Sequence, residues 1–312
     1  MPQPSIGAAQ VTILMCTKDG AAFLDEQLRS IADQSHTNWS LFVSDDGSTD
    51  ETREILRRFA DSHMQKMAIR NGPRQGVCAN FLSLATDPTI DADYFAFSDQ
   101  DDLWYKDKLA RALTWLVTDP ADVPALYCGR TESVSVDGRS YGFSPLFTRP
   151  IAFCNAIIQS LGGGNTMVFN KVAKRLLETT GKVEVVLHDW WMYQLVSAVG
   201  EAIHYDPLPM LKYRQHPGNL IGSNLGWGAR LVRFRMMLKG RFRDWNAMNI
   251  AALQRVPARL IKPQNIQLLQ LFAKARTAPL LKRLYYLKRS GVYRQRLIGN
   301  VGLLVATLLK RI

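Results

Sequence analysis

Short apolar runs separated by segments of helical spacing are what most narrows the folds open to this chain. VTILMC (11–16), SLFVS (40–44), YFAFS (94–98) and ALYC (125–128) are brief, apolar and bounded by polar or turn residues, as buried strands are. Between them Phe23, Leu24, Leu28 and Ile31 recur at helix spacing, and so do Ile55, Leu56 and Phe59. Leu109, Ala112, Leu113 and Leu116 mark a third helix, and Ser48 and Glu51 have capping-box spacing before the second. Strand and helix in alternation imply βαβ units, hence an α/β fold with a mostly parallel sheet and helices on both faces. At 312 residues and 47% hydrophobic, the chain holds at least one full core with room for an appendage.

Ligands of such sheets gather beyond the carboxyl ends of the strands, and the polar clusters fall there. CTKDG (16–20) follows the first run, DDGSTD (45–50) the second and DQDD (99–102) the run YFAFS. Asp46 and Gly47 read as a tight turn into a helix whose first N–H groups favour an anion or a polar ligand edge. DQDD crowds Asp99, Asp101 and Asp102 between an apolar run and Leu103–Trp104. Buried carboxylates need a cation, and hard oxygen ligands at this spacing suit Mg²⁺ or Mn²⁺ bridging to substrate phosphates.

Charge divides the chain unevenly. From residue 229 on there are 19 Lys and Arg against one acid, Asp244, a net +18; the whole chain carries +12, which leaves −6 for residues 1–228. ARLVRFRMMLKGRFRDW places Leu231, Phe234, Met237 and Leu238 at helical spacing among basic residues that include Arg233, Arg235 and Arg241. APLLKRLYYLKRSGVYRQRLIGNVGLLVATLLKRI repeats the pattern. Basic amphipathic helices suit an anionic membrane surface, while no RRM, KH or zinc-finger pattern supports nucleic acid as the partner. The expected division is therefore 1–228 as one domain and 229–312 as a basic amphipathic helical tail. MPQPSIGAAQ has no basic residue ahead of an apolar run, unlike a secretory signal, and LIGNVGLLVATLL is too short to span a bilayer. The four cysteines are scattered without a C-x-x-C pair, which fits reduced thiols in a cytosolic setting.

VTILMCTKDG, SLFVSDDGSTDET, NGPRQGVCANF, YFAFSDQDDLW and VVLHDWWMY, in this order over about residues 10–220, resemble the family 2 nucleotide-sugar glycosyltransferases of the GT-A fold. The resemblance implies a Rossmann-like, mixed but mostly parallel sheet. It also implies that Asp46 reads the nucleotide base, with Cys16, Thr17, Lys18, Asp19 and Arg74 lining that pocket. Asp99 is then near the ribose, Asp101 on the metal at the diphosphate, and Asp102 beside them on the nucleotide-sugar side. The run YRQHPGNLIG (213–222) resembles bacterial rhamnosyltransferase-like members, which assemble lipopolysaccharide or other surface polysaccharides.

Inverting transfer is a single in-line displacement that needs a base for the acceptor hydroxyl and charge stabilisation for the departing diphosphate. Asp189, in HDWW (188–191), follows an apolar run, and the resemblance places the catalytic aspartate there; a helix-capping role is compatible. Trp190 and Trp191 offer rings for stacking on a sugar, although neighbouring tryptophans in a helix usually put at least one in the core. In GGGNTMVF (162–169), Gly163, Gly164 and Asn165 are assigned to the acceptor side. His216 either completes the metal shell or contacts the diphosphate, and Arg214 offers a planar fork to phosphate oxygens.

The reading from sequence is thus a metal-dependent inverting transferase, peripheral on the inner face of the cell membrane. It moves a sugar, with rhamnose first in line, from dTDP-rhamnose or a UDP-sugar to a lipid-linked glycan. The alternatives are a nucleotide- or polysaccharide-binding module without turnover, and a nucleotidyltransferase. The latter is expected to carry a glycine- and base-rich phosphate loop where CTKDG has one Gly and one Lys.

Overall fold

A computed structural model of the chain describes residues 5–118, 122–200, 202–216 and 240–312. The segment holding Leu231, Phe234, Met237, Leu238, Arg233 and Arg235 lies outside the described residues. Two compact units form. The first takes residues 1–145, 162–181 and 202–222; the second takes 146–161, 182–201 and 223–312. The second unit therefore draws two earlier segments to the tail, a division that differs from the 1–228 and 229–312 boundary expected from charge. Helix His188–Val199, one of these segments, is buried along almost its whole length.

In the first unit, strands β1 (Val11–Thr17), β2 (Trp39–Asp45), β3 (Met67–Asn71) and β4 (Tyr94–Ser98) are the parallel part of the sheet. β5 (Leu103–Trp104), β6 (Ala125–Val134), β7 (Ser140–Phe143), β8 (Val168–Asn170) and β9 (Ala202–Arg214) complete it. The order is β3-β2-β1-β4-β8-β6-β9-β5, with β7 on β6. β8 runs antiparallel to β4 and β6, while β6 and β9 are parallel, so the sheet is mixed.

The pleat sorts the core into two layers. Val11, Ile13 and Met15 of β1 and Leu41 and Val43 of β2 pack with one set of helices. That set is α1 (Ala21–Ala32), α2 (Thr52–Ser62) and α4 (Lys108–Leu116), and its buried positions include the expected Leu24, Leu28, Ile31, Ile55, Leu56, Phe59, Leu109 and Leu113. The other layer holds Phe95, Phe97 and Phe169 in ring contact, with Phe81 of α3 (Val77–Ala85) edge-on to Phe97 at 5.5 Å. α6 (Lys171–Thr180) is capped by Asn170, whose side chain accepts from the Ala173 N–H. The expected capping box of α2 does not form: Ser48 bonds Asp45, and Asp50 accepts from both Thr52 N–H and Oγ1.

The second unit comprises α5 (Phe153–Ala156), α7 (His188–Val199), α8 (Arg241–Arg255), α9 (Pro263–Thr277), α10 (Leu280–Ser290) and α11 (Leu297–Leu308). Asn265 donates to the Ser197 and Ala198 carbonyls, satisfying the C-terminal turn of α7. Pro263 sits at the first turn of α9, where its missing N–H costs nothing. Among the described residues no helix is long and apolar enough to cross a membrane.

Candidate active site

Three loops at the carboxyl ends of β1, β2 and β4 are knotted together by side chains. Asp45, at the end of β2, is buried and accepts from Thr17 Oγ1 at 3.0 Å, Ser48 N–H at 3.1 Å and Arg53 Nη1 at 3.3 Å. Asp19 ties the first loop to the second by accepting from Thr49 N–H at 2.7 Å, and that bond with the Lys18 ion pair holds its carboxyl below the usual range. Lys18 Nζ reaches the Gly47 carbonyl. Gln100 ties the third loop to the first: its amide accepts from Lys18 N–H at 2.8 Å and donates to Lys18 O at 3.0 Å. A β-carbon at Gly20 would lie 2.3 Å from Gln100 Oε1, so a side chain there would displace the Gln100 amide from this tie.

Asp46 faces the loop that follows β3. Its two oxygens accept from Arg74 N–H and Gly76 N–H, at 2.5 and 3.1 Å. Gly72 allows this approach, since a β-carbon there would sit 2.7 Å from Asp46 Oδ1. Gly47 has φ +89°, and the Arg74 side chain lies over it. Cys16 is buried beneath; burial first, then the charges of Asp99 and Asp46, push its thiol well up. The structure thus brings Cys16, Thr17, Lys18, Asp19, Asp46 and Arg74 together on one end of the sheet.

β9 delivers the rest. His216 Nε2 lies 2.8 Å from Asp101 Oδ2, and its ring packs on Phe23 at 4.8 Å between centroids. Arg214 is buried and fully engaged, donating to the Asp101 carbonyl at 3.2 Å, to Glu26 and toward the Val136 carbonyl. Arg214 thus braces the DQDD loop through the Asp101 carbonyl. Among the described residues no three His, Cys, Asp or Glu side chains gather as a cation cage. The donor set is a pair, Asp101 and His216; its carboxylate suits Mg²⁺ or Mn²⁺ shared with substrate phosphates, while imidazole is a poor ligand for Mg²⁺.

Asp102 turns inward: its carboxyl is fully buried and accepts from Asn165 Nδ2 at 2.5 Å, and Asn165 is buried with it. Burial, then the charges of Asp99 and Asp101, drive the Asp102 pKa well above the carboxylate range. Gly164 and Asn165 form a buried 3₁₀ turn, and a β-carbon at Gly163 would lie 2.6 Å from Asn165 Oδ1, so this turn also supports Asp102. Beneath it Lys108 is buried with Nζ 3.7 Å from the Trp104 ring centroid; burial pushes its pKa down to about 7. Sequence reasoning gave no role to Gln100, Asp45, Glu26, Gly72 or Lys108. Gln100 had a signal, since a lone amide inside DQDD is the residue able to bond a backbone N–H and C=O at once.

Asp189 lies in the second unit, in the first turn of α7, where its carboxylate accepts from the Trp190 N–H. Trp190 and Trp191 are core residues, 4% and 0% exposed, and Trp190 Nε1 donates to the Ala156 carbonyl at 2.6 Å. Neither presents a ring face to a sugar. His188 beside them is buried, which pushes its pKa down to about 3.

Acidic loops at the carboxyl ends of a parallel strand set, within a mixed sheet flanked by helices, define a GT-A glycosyltransferase fold. S. aureus TarS, residues 1–349, superposes with a TM-score of 0.54 at 16% identity, over 91% of this chain and 92% of that one. The mannosyltransferase PcManGT from Pyrobaculum calidifontis, in complex with GDP-Man and Mn²⁺, gives 0.50 at 19% identity, over 97% and 87%. Residues 12–177 match glycosyl transferase family 2, and the chain belongs to that family. It is 31% identical to the dTDP-rhamnosyl transferase RfbG of Shigella flexneri over 233 residues, 72% of this chain and 78% of that protein. A shorter match, 28% over 34% of this chain and 42% of the relative, is to TuaG of Bacillus subtilis, named a putative teichuronic acid biosynthesis glycosyltransferase. The chain is a glycosyltransferase.

Proposed function

We propose that this enzyme transfers rhamnose, with inversion, from dTDP-rhamnose to a lipid-linked glycan of lipopolysaccharide or another surface polysaccharide. A UDP-sugar is the second donor. The observation that carries the reading is the meeting of Asp101 and His216, held by Arg214, beside the Asp46 edge on one end of the sheet. The similarity to a dTDP-rhamnosyl transferase supports the sugar.

In this reading Asp46 and the Arg74 loop hold the base, Asp99 the ribose, and Asp101 and His216 a Mg²⁺ or Mn²⁺ ion. That ion, when bound, supplies positive charge to the diphosphate oxygens as the leaving group departs. Asp189 takes the proton of the acceptor hydroxyl. The hydroxyl oxygen forms its bond to the anomeric carbon while the bond from that carbon to the diphosphate oxygen breaks. The acceptor is presented at the cytoplasmic face of the membrane.

Donor hydrolysis tests it. Incubation with dTDP-rhamnose and with UDP-sugars, with and without Mn²⁺, is expected to release dTDP fastest and only with metal. Binding without release of nucleotide from any donor refutes transfer and leaves a binding module. Release of pyrophosphate from a nucleoside triphosphate and a sugar phosphate identifies a nucleotidyltransferase.

A further inference from the structure

Helix α11 has two apolar faces, and only one of them is covered. Leu303, Ala306 and Thr307 are buried, and Arg283 of α10 donates to the Thr307 carbonyl at 2.8 Å. On the opposite side Leu297 is 81% exposed, Ile298 64%, Val301 60%, Leu304 47% and Leu308 48%. At 100° per residue Leu297, Val301, Leu304 and Leu308 fall within an arc of about 60°, one continuous stripe about 18 Å long. A soluble surface helix places charge on that side; this one has no charged residue from Leu297 to Leu309.

Charge sits at the ends instead. Arg296 precedes the helix and Lys310 follows it, both exposed. Residues 280–312 hold eight Lys and Arg and no Asp or Glu. On α10 the outward positions mix Leu281 and Tyr285 with Lys282, Lys288 and Arg289. A second copy of these helices would set five exposed bases, Lys282, Lys288, Arg289, Arg296 and Lys310, against the same five with no acid between them, which disfavours self-pairing. A nucleic acid would satisfy the charge and leave the Leu and Val stripe in water. An anionic bilayer surface satisfies both, with hydrocarbon for the stripe and headgroups for the cations.

We propose that α11 lies in the plane of an anionic leaflet, the Leu297–Val301–Leu304–Leu308 stripe in the acyl boundary and Arg296 and Lys310 among the headgroups. This rests on the membrane-face reading above and gives it a residue-level contact. The helix lies on the membrane and does not span it, being 12 residues long.

The test uses the full chain and vesicles of phosphatidylglycerol with phosphatidylcholine, against phosphatidylcholine alone. Wild type is expected to co-sediment with the anionic vesicles, less so as salt rises. Leu297→Gln with Val301→Gln is expected to lower that partition tenfold or more, with melting temperature and donor hydrolysis in solution unchanged, because both side chains face water. Arg296→Gln with Lys310→Gln is expected to weaken binding and flatten its salt dependence. If wild type and the double glutamine variant sediment equally, the α11 assignment is overturned while the membrane-face reading stands. If neither sediments, both fall. A wild-type dimer that the glutamine variant dissolves gives the stripe to a second copy and overturns the proposal.

Discussion

Replacing Asp206 with alanine tests how β9 is pinned while its far end carries Arg214 and His216 to the DQDD loop. The carboxylate is 1% exposed and accepts from Arg111 Nε, from Arg111 Nη2 at 3.1 Å, from Tyr127 Oη at 2.6 Å and from Leu208 N–H at 2.9 Å. Burial would raise its pKa, but the Arg111 and Tyr127 hydrogen bonds outweigh burial and hold it below the ordinary value. In the alanine variant the buried Tyr127 hydroxyl loses its acceptor, at about 1–3 kcal/mol, and the Leu208 bond takes about 0.5–1.5 kcal/mol more. The Arg111 side chain is 40% exposed and turns to water, so its share is about 0–1 kcal/mol. A loss of about 3 kcal/mol follows, which at an m-value of about 3 kcal/mol/M lowers the urea midpoint by about 1 M. Adding Tyr127→Phe to Asp206→Ala removes the orphaned hydroxyl and is expected to recover about 1–3 kcal/mol. An unchanged midpoint in the single variant, or no recovery in the double, refutes the reasoning. The sign with pH follows from the lowered folded pKa: the unfolded carboxylate binds its proton first as pH falls. The contribution of Asp206 is therefore whole above the ordinary carboxylate pKa near 4 and is lost as pH drops through the folded value.

The remaining predictions concern the site. Asp101→Asn keeps the size of the side chain and removes the charge facing His216; turnover is expected to collapse with an unchanged melting curve, and full activity of the wild type in EDTA would count against it. Asp189→Asn is expected to lower the transfer rate by about 10²–10⁴ while nucleotide affinity measured by calorimetry stays the same. Gly72→Ala places a β-carbon 2.7 Å from Asp46 Oδ1 and 2.9 Å from Asp46 Cα, so donor affinity should fall with little change in acceptor KM. Trp191→Ala empties a fully buried site and is expected to cost about 3–5 kcal/mol; a normal melting temperature with a raised acceptor KM would restore the sugar-stacking role.

Strands β1, β2 and β4 of the parallel part were legible because each is a short, largely apolar run buried on both faces and each intervening helix shows a clear buried stripe. β3 was hidden: MAIRN is a half-buried edge strand carrying Arg70 and Asn71. β9 was hidden for another reason, since Pro207 and Pro209 argue against a strand and are accommodated where the β6–β9 register slips near Gly129 and Arg130. In the site, Asp46, Arg74 and Asp101 lie in the loops that follow β2, β3 and β4, so their neighbourhood follows from strand order. Other surroundings depend on partners distant in sequence. Arg214 looks like a phosphate clamp until Glu26, 188 residues earlier, takes one arm of its fork. Trp190 and Trp191 look like a sugar platform until the second unit buries both.

Asp101 and Asp102 show the principle most closely. They are adjacent, chemically identical and inside one motif, so spacing assigns both to the ligand. Asp101 points to His216, two residues past β9, and Asp102 points inward to Asn165, 63 residues on. The inward carboxyl needs a donor because it is fully buried, and the glycine-rich turn supplies that donor from Asn165. GGGNT and DQDD are therefore one device: the first holds the buried half of the second in place, while Asp101 stays with His216.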